Sequence, residues 1–287
     1  MNATEIVAGI LAGGLYALIG LGLSLVFGVL RLMNLAYAQL IIIGAYAAWL
    51  IVDHTGLDPL VALPFAMAAT ALIAYPFQRF LLTDLLRTSI TAPLVATFGL
   101  ALLAQAGLQA AFGINEKSIP APYGDSGVAV LGVHVQSVYL IAFGLAGVLC
   151  LSAHLLLTRT RIGSAVRAAA ADPQTAAILG LDVGRIYAWT FSFSAAVAAA
   201  AGVMTGVAQS FTAASGTPLL LTGFAVMALG GIGSVGGTFA AGISLGLLQS
   251  VSVSVFGAGY QNLAVYLTFF LVLAFRPTGV FRRMRTT

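Results

Sequence analysis

The sequence predicts an all-α membrane protein, a polytopic bundle of about eight to nine transmembrane segments with broken or re-entrant helices and inverted repeats. Three observations predict it. Hydrophobic residues make up 60% of the 287 and charged residues only 7%, against about a quarter charged in a soluble domain. Several apolar runs reach the roughly 20 residues that cross a bilayer core as a helix, and nothing alternates like a barrel strand. The basic residues fall on one side of the spans those runs define.

The runs lie at 6–30, 35–52, 59–80, 90–113, 136–157, 186–210, 218–232, 237–256 and 260–275. The first begins after Glu5, with no basic region before it, and is too long for a cleavable signal. The run 218–232 is short for a crossing and is expected to be re-entrant or part of a broken helix. Glycine-interrupted stretches near 28–40 and 223–238, one in each half, are expected to offer free backbone groups to a solute near the midplane. The 33 glycines would burden a soluble helical protein, whereas in membrane helices they let backbones approach closely.

With the N-terminus outside, nine crossings put Arg31, Arg79, Arg87, Arg159, Arg161, Arg167, Arg185, Arg276, Arg282, Arg283 and Arg285 on the cytoplasmic face. Only Lys117 falls outside, beside Glu5, Asp53, Asp58, Glu116 and Asp125. That is the positive-inside pattern. The net charge of +4 is therefore topology, and its scatter between spans does not suggest nucleic acid.

The chain reads as one transmembrane domain, 1–287, with two segments outside the bilayer. The outer loop 113–136 is rich in turn residues, Pro120, Pro122, Gly124, Asp125 and Gly127. The inner segment 158–185 is alanine-rich, hence helix-forming. Asp172-Pro173 is a cap and first-turn pair for a second short helix, and Gly180 suits its end.

Several chemistries find no support. Gly231-Ile232-Gly233-Ser234-Val235-Gly236 spells a dinucleotide-binding pattern, but lacks the strand before it and the acid about 20 residues later. A tight turn between packed membrane helices fits it better. Lys117, the only lysine, has no phosphate-loop context. His54, His134 and His154 have no metal-ligand spacing, and Cys150 stands alone, so no metal and no catalytic residue is expected. No ionisable residue lies deep in a span, as a proton- or sodium-coupled carrier often requires. Polar residues at depth are Asn34, Gln39, Gln105, Gln109 and Gln249; Gln105 and Gln109 share a helix face. What remains is the membrane subunit of a transporter with a separate motor. The alternative is a stand-alone channel or secondary carrier for a small neutral solute such as urea or a short amide.

Several strings in order give a closer likeness. The run from Gly20 to Ala36, GLGLSLVFGVLRLMNLA, is followed by Gly44-Ala45-Tyr46 and Ala96-Thr97-Phe98-Gly99-Leu100. Then come Arg161-Ile162-Gly163 with Arg167-Ala168 and Asp172, Leu179-Gly180, the glycines of 230–237, and Arg276-Pro277-Thr278-Gly279-Val280-Phe281. Together they resemble the LivH-type permease of branched-chain amino acid ABC importers, over nearly the whole chain. The resemblance implies a bacterial inner-membrane permease, N-terminus periplasmic and C-terminus cytoplasmic. Its implied partners are the lipid bilayer, a second homologous permease, a periplasmic solute-binding protein and two cytoplasmic ATPases that bind the ATP, leaving this chain without a cofactor. It also implies that 161–182 couples to an ATPase, through Arg161, Gly163, Arg167, Ala168, Asp172, Ala176 and Gly180. Candidates for the translocation path are Asn34, Tyr37, Gln39, Thr97, Gln105, Gly230, Gly231 and Gly233. One departure bears on the solute: Tyr37-Ala38-Gln39 stands where the family has His-Gly and an acid or small polar residue.

Overall fold

The computed structural model describes residues 3–31, 33–83, 85, 92–124, 127–130, 133–276 and 279. Arg87, Asp125, Pro277, Thr278, Val280, Phe281, Arg282, Arg283 and Arg285, all named above, lie outside the described residues. In chain order the elements are α1 (Ala3–Leu30), α2 (Tyr37–Thr55), α3 (Pro59–Pro76, continued by a π-helical turn Phe77–Leu82), α4 (Ala92–Phe112), β1 (Gly127–Val130) and β2 (Val133–Gln136). There follow α5 (Ser137–Arg159), α6 (Arg161–Ala171), α7 (Pro173–Ile178), α8 (Val183–Ala208), α9 (Gly216–Gly230), α10 (Val235–Phe256) and α11 (Gln261–Phe275).

Among the described residues, eight helical segments are long and apolar enough to cross a membrane. α9 by itself has 15 residues, short as expected, and reaches 18 only with its preceding turn, from Ala213 to Gly230. α11, expected as a full span, also has 15, about 22 Å of helix against a hydrocarbon core of about 30 Å. The outer loop also holds more order than its turn residues imply. Val128 pairs with Val135 and Gly127 with Gln136 in a two-stranded antiparallel hairpin.

The bundle is built around α1 and α8. Every residue from Val197 to Gly206 is buried, as expected for a helix that is apolar on all sides. The two helices run antiparallel. Ser194 donates its hydroxyl hydrogen to the Gly22 carbonyl at 2.7 Å, while Leu30 at the far end of α1 shares a cluster with Ile186 at the start of α8. Small residues let the neighbours close in. On α1, Gly9, Gly13 and Ala17, four apart, face Gly242, Gly246 and Ser250, also four apart, on α10. On α2, Gly44 lies against the Ala199 backbone. α4 stands at the periphery, with only Pro93 and Thr97 buried.

Two chain reversals break this regularity. α1 ends at Arg31, whose φ of +53° is left-handed, unusual for a residue with a Cβ. The chain then turns back into the bundle before α2 begins. The Tyr37 hydroxyl reaches the Ile19 carbonyl at 3.1 Å, a point some 11 residues, or about 16 Å, back along α1. The second reversal follows α8, where Gln209–Ser215 folds back inward. Phe211 there is fully buried, edge-on to Tyr46 at 5.1 Å and paired through its backbone with Lys117. A reciprocal capping box between Thr212 and Ser215 starts α9. Because α1 and α8 are antiparallel, the reversals enter from opposite ends. The helix–re-entry–helix unit thus occurs twice, inverted.

The first break falls where the sequence predicts, within 28–40. The second does not. Residues 223–230 continue α9 without interruption, and 231–234 is a tight turn at a bundle end. The re-entrant piece is 209–215, whose anchor is an aromatic side chain and not a glycine.

Candidate translocation path and docking segment

Where the reversals end, the first turns of α2 and α9 meet inside the bundle. A Cβ built on Gly216 would stand 3.3 Å from the Ala38 Cβ and 3.2 Å from Gln39 Nε2, so the two N-terminal turns abut closely there. The Asn34 side chain shapes the approach, its Oδ1 accepting from the Ala36 N–H at 2.9 Å. The Leu35 N–H donates to Thr97 Oγ1 at 3.4 Å, tying α4 to the same break. Asn34 is 1% exposed and Gln39 4%, yet Asn34 Nδ2 and Gln39 Oε1 have no hydrogen-bond partner. Each such orphan costs about 1–3 kcal/mol.

The structure thus brings Asn34, Gln39 and Thr97 to one place. Tyr37 belongs there by position, but its ring is wholly buried and its hydroxyl is taken by Ile19, so it packs. Gln105 sits eight residues beyond Thr97 on α4, half-buried and about 12 Å along the helix, outside this cluster.

Gly230, Gly231 and Gly233 form a second group, at the bundle end that carries α6 and α7. The turn they make is dictated by backbone crowding. Gly231 and Gly233 have φ of +84° and +75°, and a Cβ on Gly28 would lie 2.5 Å from the Gly233 Cα. Ser24 accepts from the Gly233 N–H at 3.2 Å. A crevice of about 650 Å³ opens beside the turn, lined by Gly28, His154, Arg167, Gly233 and Gly236 among others. Arg167, chosen from sequence for another role, therefore faces the same space as the glycine turn.

The third group is the pair of short helices. Thr160 caps α6 by accepting from the Gly163 N–H at 3.0 Å. Asp172 caps α7, accepting from Gln174 and Thr175. The Thr175 hydroxyl and N–H hold its carboxyl below the usual carboxylate range. Gly180, at φ +86°, closes the segment. The named residues divide by face. Arg161, Arg167, Ala168, Asp172 and Gly180 are exposed, whereas Gly163 and Ala176 are buried and hold the segment in place. A Cβ on Gly163 would meet the Leu157 carbonyl carbon at 2.6 Å.

Three features here were given no site role from sequence. Ile178 and Leu179 stand 85% and 75% exposed at the tip of the segment, a signal that only burial reveals. Arg79, in the π-helical turn after α3, makes two hydrogen bonds to Asp182, at 2.8 and 3.1 Å. Asp182 also accepts from the Arg185 N–H at the start of α8. The Arg79 guanidinium is the main cause holding the Asp182 carboxyl below its ordinary range. One carboxylate thus joins α3, the segment of short helices and α8.

Arg31, Arg79, Arg159, Arg161, Arg167 and Arg185 all gather at this end, and Gly279, packed on Gly231, brings the exit of α11 there with Arg276. Lys117 lies at the other end, 4.5 Å over the Trp49 ring.

The sequence of this bundle matches the family model described as branched-chain amino acid transport system / permease component, over residues 5–275. The chain belongs to this family. It is 29% identical to the high-affinity branched-chain amino acid transport system permease protein BraD of Pseudomonas aeruginosa, over 97% of this chain and 95% of that protein. To the permease protein LivH of Escherichia coli K12 it is 28% identical, over 96% and 94%. Among solved structures it is similar to PsaBC from Streptococcus pneumoniae in complex with Fab, at 17% identity and a TM-score of 0.46, covering 96% of this chain and 90% of that one. This transport permease family lends no support to the stand-alone channel or carrier.

Proposed function

We propose that the chain forms the membrane path of an ATP-driven importer of branched-chain amino acids. The observation that carries the reading is the match to the permease family across residues 5–275. The chain sits in a bacterial inner membrane with its N-terminus periplasmic, since the described arginines gather at the end that carries α6 and α7. It works beside a second, homologous permease. A periplasmic binding protein delivers the solute, and two cytoplasmic ATPases supply the free energy.

The path passes the junction of α2 and α9. An amino acid carries no net charge but has a carboxylate and an ammonium, and this junction suits both. Two helix N-termini present the positive ends of their dipoles to the carboxylate. Asn34 Nδ2 adds a donor and Gln39 Oε1 an acceptor for the ammonium, and neither has a hydrogen-bond partner within the bundle. Gly230, Gly231 and Gly233 shape the exit beside Arg167. The exposed face of 161–182, tipped by Ile178 and Leu179, docks on an ATPase, and the Asp182 ion pairs pass its movement to α3 and α8.

The test is uptake of radiolabelled leucine by cells producing the chain together with a second permease, the ATPases and the binding protein of a branched-chain amino acid importer. ATP-dependent uptake is expected, inhibited by isoleucine and valine. Asn34→Leu and Gln39→Leu each lower it roughly tenfold, the worth of one hydrogen bond, at unchanged membrane abundance. Uptake of urea without the ATPases, or normal leucine uptake in both variants, would overturn the reading.

A further inference from the structure

At the end of the bundle that carries the short helices, an apolar crevice of about 420 Å³ runs between α5, α6 and α8. Leu156 of α5, Ile162 and Val166 of α6, and Ile186, Trp189 and Phe193 of α8 line it. Thr190 also lines it, but its hydroxyl is spent on the Ile186 carbonyl of its own helix. The walls offer a guest almost nothing but hydrocarbon and rings, until the rim. There stands Arg185, its side chain 68% exposed, with exposed Arg159 and Arg161 at the neighbouring α5–α6 junction. The crevice opens outward: Ile162 and Trp189 are each 64% exposed.

The rim is electropositive. Asp182, the carboxylate that pairs with Arg185 at 3.0 Å, also holds Arg79. An apolar slot below an arginine rim, with a tryptophan where chain meets head group, matches one occupant by chemistry. Tryptophan favours the membrane–water interface, and basic pockets between helices at that depth attract anionic head groups.

We propose that the crevice is a binding site for one anionic phospholipid. An acyl chain lies along Leu156, Ile162, Val166 and Phe193, and the phosphate lies at Arg185 and Arg161. The lipid then forms part of the bed on which α6 rests.

The chain has two tryptophans, so full-length protein carrying Trp49→Phe reports from Trp189 alone. It is placed in phosphatidylcholine vesicles containing brominated-chain phosphatidylglycerol or, in a second series, brominated-chain phosphatidylcholine. The expected result is half-maximal quenching of Trp189 at a several-fold lower mole fraction of the brominated phosphatidylglycerol. The double variant Arg161→Gln/Arg185→Gln, shown to melt like its parent by thiol-dye labelling of Cys150, loses that preference. Arg161→Gln alone, which leaves the Asp182 pairs intact, weakens it. Equal quenching by the two lipids in the parent would overturn the proposal in favour of ordinary boundary lipid. No quenching by either would overturn it in favour of a surface closed to lipid. A preference that survives both arginine changes would overturn the assignment of the head-group site.

Discussion

Replacing Gly242 with alanine tests the reasoning about how this bundle holds together. A Cβ there would lie 2.6 Å from the Ala17 nitrogen and 2.7 Å from both its Cα and its Cβ. All three are parts of α1 that no rotamer change can move. To regain ordinary contact, α10 must retreat from α1 by about 1 Å, loosening Gly9 and Gly13 against Gly246 as well. Overpacking of that kind costs about 1–3 kcal/mol, and backbone-on-backbone crowding belongs at the upper end. Alanine returns about 1 kcal/mol in helix propensity, leaving a net loss of about 1–2 kcal/mol. At about 2–4 °C per kcal/mol for a chain of this size, the melting temperature falls by about 2–8 °C. The control is Gly107→Ala on α4, where the added Cβ meets nothing within 4 Å. It gains the propensity without the clash, so it melts at or slightly above the parent temperature. Cys150 is the sole cysteine and is buried, so labelling by a thiol-reactive dye reads both melts. If the two variants melt together, the close approach of α1 and α10 is not what the glycines are for.

Three further outcomes follow from the same geometry. Gly163→Ala pushes α6 off the end of α5, so leucine uptake is lost although the bundle still assembles; normal uptake with a normal melt would show that α6 need not be seated there. Arg79→Gln removes the ion pair that ties α3 to Asp182, worth only about 0.5–1 kcal/mol because both groups are partly exposed. It should move the melt by less than about 4 °C yet increase hydrogen exchange in 179–186. The pH dependence has a definite sign. Asp172 and Asp182 are held below their ordinary range, so their contribution is complete above the unfolded value of about 3.9 and is lost as pH falls through the folded values. Exchange protection of α6 and α7, corrected for intrinsic rates, should stay flat above about pH 5 and fall only on stronger acidification. A decline beginning near neutrality would point to another group.

The 158–185 segment was the most legible part of the molecule because its structure is local. Asp172, Pro173 and Gly180 each act within a few residues of themselves, so that cap and that turn can be read directly, whereas the Thr160 cap of α6 was not read. The arginines were legible for a similar reason: a charge belongs at a span end whatever its neighbours are. The re-entrant breaks were half legible. Asn34 interrupts an apolar run and draws the eye, but the 209–215 reversal rests on Phe211 seated against Tyr46, residues 165 positions apart. In a chain this rich in aromatic and apolar residues, nothing marks that phenylalanine. The glycines of 230–237 drew the break to the wrong place because glycine reports crowding, and the crowding there is of Gly28 on Gly233 and of Gly230 and Gly237 on each other.

The sequence alone therefore determined that this protein lives in lipid, which way its charges run and where the short helix after Asp172 starts and stops, since composition and local capping decide those. Tertiary structure decided where the second helix breaks and which polar groups go unsatisfied. Each of these depends on what a residue meets from a distant helix, and apolar membrane spans are too alike to announce their partners.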